Sequence, residues 1–88
     1  MERGDQIAYI PGHARGIGLG HKDVEFGFIT GVRLNNIFCR FWSRADSLVL
    51  RTTSCSEGCN VRDLMPFNTH PDSFITKTLN EIAKEEDG

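Results

Sequence analysis

Two histidines and two carboxylates lie close together in the sequence: His13, His21, Asp23 and Glu25. Asp23 and Glu25 are two residues apart at the start of a predicted strand, so both side chains point to the same side of the sheet. Imidazole and carboxylate groups bind zinc, manganese and other divalent ions, and they also act as general acids and bases. The spacing matches no established metal motif. The simplest interpretation is a hydrogen-bonded lock on the loop, with metal binding and catalysis as alternatives.

Three cysteines form the second group with chemical potential. Cys55 and Cys59 are separated by three residues, whereas zinc knuckles prefer two, and Cys39 alternates with apolar residues along a predicted strand. We predict no secretion signal from the N-terminal sequence, and we therefore expect reduced thiols rather than disulfides. Cys39 is interpreted as a small core residue. Cys55 and Cys59 are interpreted as structural or incidental thiols, with a contribution to a metal site as the alternative. No cofactor is predicted.

The third group is a strand face that combines aromatic rings with arginines. Phe38, Arg40 and Trp42 alternate along one strand, and Arg33 and Arg51 are expected on its neighbours. Such surfaces on small barrels often hold single-stranded nucleic acid or peptides. The competing interpretation, which we favour, is that a C-terminal helix covers Phe38 and Trp42.

The remaining sequence offers little support for catalysis. The glycines at 16, 18 and 20 follow a strand but do not open a helix, so the dinucleotide-binding fingerprint fails. No hydroxyl or thiol is placed beside a histidine by spacing alone. We therefore predict that the protein is not an enzyme.

The elements that must position these groups follow from the hydrophobic period. A period of two predicts strands, and Gly and Asn residues mark the turns between them, including a tight hairpin at Asn35-Asn36. The predicted strands are 6–10, 24–33, 37–42 and 48–53, and 61–67 is predicted to be a one-turn helix or short closing strand. Residues 12–22 and 54–60 are predicted to be loops.

After residue 69 the period changes to 3.6 and predicts a helix that begins near Pro71 and ends near Glu86. Its apolar stripe consists of Phe74, Ile75, Leu79 and Ile82. This stripe needs a partner, either the chain's own sheet or a second copy in a homodimer.

These elements predict a mainly β fold, a small SH3-like barrel of four to five strands with an amphipathic C-terminal helix. The barrel is assigned to residues 1–68, and the helix with its acidic tail to residues 69–88. The alternative is an open sheet of three or four strands with the helix across one face.

Size and charge limit the functions that the chain can perform. With 88 residues, 39% hydrophobic and 25% charged, it forms one small globular domain without room for a deep pocket. The net charge of −2 conceals an uneven distribution. Residues 81–88 carry four acids and one lysine, or −3, whereas residues 33–62 carry five arginines and two acids, or +3. No apolar run is long enough to span a bilayer, and we expect a cytoplasmic location.

The first half of the sequence resembles a group of small phage and prophage proteins. The resemblance rests on the run from Gly4 to Gly16, with Tyr9, Pro11 and His13-Ala14, and on His21-x-Asp23-x-Glu25-x-Gly27. It extends to about residue 53 and implies a phage origin, although the group has no assigned activity. The strand layout is also similar to the KOW and Tudor-like barrels, which bind nucleic acid or proteins.

Together these features predict a non-enzymatic interaction module of phage or prophage origin. Its partner is expected to be a protein or nucleic acid of the host or phage, and inhibition of a host factor fits this class. The alternatives are a metal-binding protein that uses the His13–Glu25 loop and a structural subunit that self-associates through its helix.

Overall fold

A computed structural model describes residues 2–34, 36–51 and 57–87 of the chain. These residues form five strands, three short 3-10 turns and one helix. The strands are β1 (Gln6–Tyr9), β2 (Glu25–Arg33), β3 (Asn36–Phe41), β4 (Glu57–Asn60) and β5 (Leu64–Pro66), and the helix is α1 (Asp72–Asp87). The 3-10 turns are Gly12–Ala14, Gly18–Gly20 and Val61–Asp63. No helix in the described ranges is both long and apolar enough to cross a membrane.

The strands form one antiparallel sheet in the order β4-β3-β2-β1-β5. This confirms the predicted mainly β fold with five strands and a C-terminal helix. The arrangement is that of a small β-barrel-like domain, but the sheet is not closed, because β4 and β5 are its two edges. A 3-10 turn at Val61–Asp63 carries the chain from β4 to β5. Residues 61–67 were predicted to be either a one-turn helix or a short strand, and they contain a 3-10 turn followed by a strand.

The long strand β2 pairs with β1 along one edge and with β3 along the other. Its register against β3 shifts between Ile29 and Gly31, which marks a bulge. Gly27 lies so close to β3 that an added Cβ would overlap the carbonyl oxygen of Arg40. Glycine is therefore required at this crossing because any side chain would push the two strands apart.

The prediction of a strand at 48–53 is wrong for its described part. Leu48 and Val49 lie in a turn and a bend, and only Leu50 forms an isolated bridge, with Trp42. The Asp46 side chain accepts a hydrogen bond from the Leu48 backbone N–H, which favours the turn over an extended strand. Residues 57–60, predicted to be loop, instead form β4 because they pair with β3.

The hairpin between β2 and β3 turns one residue earlier than predicted. Asn36 already belongs to β3 and pairs with Arg33, and Asn35 lies outside the described residues. Leu34 has a φ of +50° and is 100% exposed. A left-handed conformation at a leucine costs about 1–2 kcal/mol, so this tip carries local strain.

The two faces of the sheet bury different sets of apolar side chains. One face packs mostly aliphatic residues and the two described cysteines: Ile7, Ile29, Ile37, Cys39, Phe41, Cys59 and Leu64. The other face meets α1 and is mainly aromatic on the sheet side. Phe28 and Trp42 pack there with Ile75 and Ile82, together with the half-buried Phe74 and Leu79.

The helical stripe is therefore covered by the chain's own sheet. Ile75 and Ile82 are 3% and 6% exposed. Of the four residues expected to mediate self-association, Ile75 and Ile82 are buried against the sheet, and Phe74 and Leu79 are half-buried. A homodimer through this helix stays a prediction.

A buried glutamine fastens the segment between β5 and α1. Gln6 is 4% exposed and pairs with Phe28 on the helix-covered face. Its side-chain Nε2 donates to the His70 carbonyl at 2.7 Å, and its Oε1 accepts from the backbone N–H groups of Thr69 and His70 at 3.0 and 2.9 Å. These bonds satisfy the buried amide and fix the point at which the helix leaves the sheet.

Candidate functional site

The structure brings His13, His21 and Asp23 together, and we call these three residues the loop cluster. Short turns fold the glycine-rich loop back on itself, with Ile17 N donating to Ala14 O, His21 N to Gly18 O and Val24 N to His21 O. The two imidazole rings meet edge to face, with centroids 5.3 Å apart. One ligand atom from each residue lies within 4.8 Å of the others.

Hydrogen bonds define the protonation of the loop cluster. Asp23 Oδ2 accepts a hydrogen bond from His13 Nε2 at 2.7 Å, so that nitrogen carries a proton. His21 Nδ1 accepts the Asp23 backbone N–H at 3.0 Å and is therefore unprotonated. The hydrogen bond from His13 is the largest cause that holds the pKa of the Asp23 carboxyl below its ordinary value, and the charge of Lys22 adds to it. This arrangement has the features of the predicted lock.

Glu25 does not join the cluster. Its carboxylate pairs with the Arg51 guanidinium, and both side chains are mostly buried. Of the four residues grouped in the sequence, Glu25 thus lies outside the cluster and pairs with Arg51 instead.

The helix covers one part of the strand face that combines aromatic rings with arginines, and leaves the rest more open. Trp42 is 5% exposed and packs against Phe28, Phe74 and the His70 ring. It cannot serve as a stacking platform for a base, and the competing interpretation of helix cover is confirmed for this residue. Phe38 and Arg40 are half-buried, and Arg33 is exposed at the end of β2. The five predicted binding residues therefore do not form one open surface.

An open groove of about 400 Å³ lies between α1 and the segment that follows β3, and we call it the helix–sheet groove. Its cationic lining residues are Arg40, Arg51 and Lys77, and Glu81 is the acid among the lining residues. Leu48 and Val49 line the same groove and are 63% and 50% exposed. The sequence analysis missed Leu48, Val49 and Lys77, because a strand at 48–53 would have buried alternate residues.

The cysteines take no part in either site within the described residues. Cys39 and Cys59 are buried in the aliphatic core. Cys39 is thus the small core residue that its strand position predicted. Cys55 lies outside the described residues.

His70 is a further polar residue that sequence reasoning did not single out. Its Nε2 donates to the Ser47 carbonyl at 2.7 Å, and its Nδ1 pairs with the Thr69 hydroxyl at 2.7 Å. The ring packs on Trp42, with centroids 4.3 Å apart, and stacks on Phe74. We call Gln6, Trp42, Thr69 and His70 the junction. The only sequence signal for it was the Thr-His-Pro run before the helix.

The chain has two candidate sites. They are the loop cluster, where polar groups remain open to solvent, and the helix–sheet groove, where apolar and cationic groups meet. No protein-family model, curated protein or solved structure matches the chain.

Proposed function

We propose that this protein is a non-enzymatic interaction module that binds an acidic, apolar segment of a partner protein in the helix–sheet groove. The observation that carries the proposal is the combination, in one groove, of exposed Leu48 and Val49 with the cationic side chains of Arg40, Arg51 and Lys77. A groove of this composition can bury an apolar anchor and pair with carboxylates at its rim.

Charge complementarity supports an acidic partner. Three basic residues and one acid line the groove, and Glu25 pairs with Arg51 beside it. Three positive and two negative side chains leave a local charge of +1, with the Arg51 charge compensated by Glu25, although the whole chain is at −2. Carboxylates on the partner would meet these cations and speed association, whereas a basic partner would be repelled.

A protein partner is favoured over single-stranded nucleic acid. Proteins that hold single strands stack successive bases on exposed aromatic rings. The ring best suited to this role, that of Trp42, lies beneath the helix and the His70 ring. The aliphatic side chains of Leu48 and Val49 are suited to apolar anchors of a protein instead.

The proposal includes an origin and a setting for the module. The resemblance of the pattern from Gly4 to Gly27 to small phage and prophage proteins supports a partner that is a host or phage protein in the host cytoplasm. A small module that occupies a surface of a host factor would act as an inhibitor by blocking that surface.

The test compares two exposed apolar positions. Tagged wild-type protein, Leu48→Asp and Ile17→Asp are used to capture partners from host cells, and binding of the purified partner is then measured by calorimetry. Ile17 is 67% exposed and lies outside the groove, so it is a matched control for Leu48 at 63%. We expect Leu48→Asp to weaken binding at least about tenfold, a loss in the range of an interface hot spot, and Ile17→Asp to leave it unchanged.

Equal binding by both variants would show that the groove is not the binding surface. Nucleic-acid binding is tested separately with short DNA and RNA over a range of salt concentrations. Salt-dependent binding that Arg40→Ala weakens would favour nucleic acid as the partner, because phosphate contacts release counterions.

A further inference from the structure

We propose that the loop cluster is a binding site for one zinc ion, held by His13, His21 and Asp23. Two imidazoles and one carboxylate form a three-residue ligand set that zinc uses in proteins, with water in the fourth position. This inference is independent of the helix–sheet groove, because none of the three residues lines it, and it concerns the start of β2, where the glycine-rich loop enters the sheet.

The three side chains already converge without an ion. Their ligand atoms lie within 4.8 Å of one another, and zinc coordination at about 2.0–2.2 Å draws such atoms closer together. His13 has a side chain that is 63% exposed and can make this adjustment by rotation. His21, with a side chain 14% exposed, forms the fixed wall of the site.

Electrostatics at the cluster favour a cation. His21 Nδ1 is unprotonated, because it accepts the Asp23 N–H, and it lies 3.9 Å from Asp23 Oδ2. The Nδ1 lone pair, with its partial negative charge, therefore faces the negatively charged Oδ2 of the carboxylate. A cation bound by both would replace this repulsion with attraction. The same oxygen, Oδ2, also accepts a hydrogen bond from His13, and a metal ion can take the place of the bridging proton.

The identity of the ion follows from the donors. Imidazole nitrogen is a good ligand for zinc and its neighbours in the transition series, whereas magnesium and calcium require oxygen ligands. Glu25 does not add a second carboxylate, because it pairs with Arg51. Binding to His21 Nδ1 competes with the Asp23 N–H, so part of the binding free energy is used to exchange that hydrogen bond.

We expect a bound ion to link the two ends of the glycine-rich loop. His13 follows β1 closely, and Asp23 lies just before β2, so one ion would join the two ends of the glycine-rich segment. Such a link reduces the conformational freedom of the loop and stabilises the folded chain by ligand binding. No catalytic role is required.

The test uses the full chain, free of any polyhistidine tag, titrated with Co²⁺ and then with Zn²⁺. We expect one equivalent of Co²⁺ to give the visible absorption bands of a tetrahedral site and Zn²⁺ to remove them. His13→Ala, a change at an exposed side chain that leaves folding intact, should weaken binding at least about tenfold, as expected when a residue that holds a metal is lost. Asp23→Asn should do the same.

His70→Gln is the matched control, because it removes an imidazole outside the cluster. Cys55→Ser with Cys59→Ser tests for thiol ligands. The proposal is overturned if wild-type protein binds no stoichiometric Co²⁺, if His13→Ala binds as well as wild type, or if charge-transfer bands from thiolates are present and disappear in the cysteine variant.

Discussion

The junction and the loop cluster both contain histidines in ring contact, yet they differ in how completely their polar atoms are paired. At the junction, both His70 ring nitrogens and both ends of the Gln6 amide have protein partners. At the loop cluster, the His13 side chain is largely exposed, and its one described hydrogen bond is the pairing with Asp23. We therefore expect the junction to contribute to stability, whereas the loop cluster leaves ring nitrogens and carboxylate oxygens accessible to a ligand.

The lesson is that dense polar residues in a sequence do not by themselves distinguish function from structure. The loop drew attention because its histidines and acids are close in sequence, whereas the junction is assembled from residues about 64 positions apart. What separates the two regions is burial and the pairing of Gln6 and His70, since most buried polar groups are paired and exposed ones need not be. Trp42 Nε1 is the exception at the junction, because it is buried and no hydrogen-bond partner is described for it. The following substitutions test this contrast, in order of decreasing expected effect.

Replacing Trp42 with alanine should produce the largest loss at the junction. The ring packs against Phe28, Phe74 and His70, so its removal leaves a cavity and should lower the free energy of unfolding by about 3–5 kcal/mol. Trp42→Phe is the control. No hydrogen-bond partner is described for Nε1, so phenylalanine loses volume without breaking a described polar contact. Urea denaturation should show a much smaller effect for this variant, and equal losses would mean that Nε1 is paired.

Gln6→Leu should be the next most costly change. The leucine fits an apolar environment but leaves the Thr69 and His70 N–H groups and the His70 carbonyl without their partner. Unsatisfied groups of this kind cost about 1–3 kcal/mol each, so we expect a total loss of about 2–3 kcal/mol when some regain water. The same denaturation experiment measures it. A loss below about 0.5 kcal/mol, the range of ordinary surface changes, would show that the glutamine does not fasten the helix.

Removing an imidazole from each region gives the most direct comparison. His70→Ala should cost about 1–2 kcal/mol because it breaks the bond to the Ser47 carbonyl and the stacking on Trp42. His13→Ala should change stability by less than about 0.5 kcal/mol in metal-free buffer, as is usual at exposed positions. If the order of the two effects were reversed, the loop rather than the junction would be the stabilising region.

Asp23→Asn should have the smallest effect, and that effect should depend on pH. The folded-state pKa of Asp23 is lowered from 3.8, so its ionised form stabilises the fold above that value. The contribution is lost as the pH falls through the lowered folded pKa. Urea curves measured between neutral and acid pH should therefore show wild type slightly more stable than the variant at neutral pH, with the difference fading in acid. A difference that persists at the acid end would point to another cause.

Much of the fold was predictable from local patterns. The period of two placed β1, β2 and β3 within one residue of their observed bounds, and the change to 3.6 located α1. β4 was missed because Gly58, Cys59 and Asn60 have weak strand propensity, and pairing with β3 decides their conformation. Conversely, the apolar run Leu48-Val49-Leu50 was read as a strand although the Asp46 side chain fixes a turn there.

The candidate sites were only partly predictable. Three members of the loop cluster share a short segment, so sequence proximity brought them together. The Arg51 partner of Glu25 is 26 residues away, and nothing in the local pattern reveals it. The helix–sheet groove requires both the turn at Leu48 and the packing of α1. Such contacts join residues that are far apart in the sequence, so no local periodic pattern predicts them.

The bonds from Gln6 also bear on the order in which the chain folds. β1 can pair with β2 early, but its second neighbour, β5, and the backbone groups that Gln6 holds are supplied by residues 64–70. Contacts across such long sequence separations require loop closure before they contribute, which slows folding. During synthesis on a ribosome, we therefore expect one edge of β1 to stay unpaired until β5 and the start of α1 have left the ribosome. We therefore expect the pairing of β1 with β5 to be the last part of the described sheet to form, although β1 contains the earliest residues of the sheet.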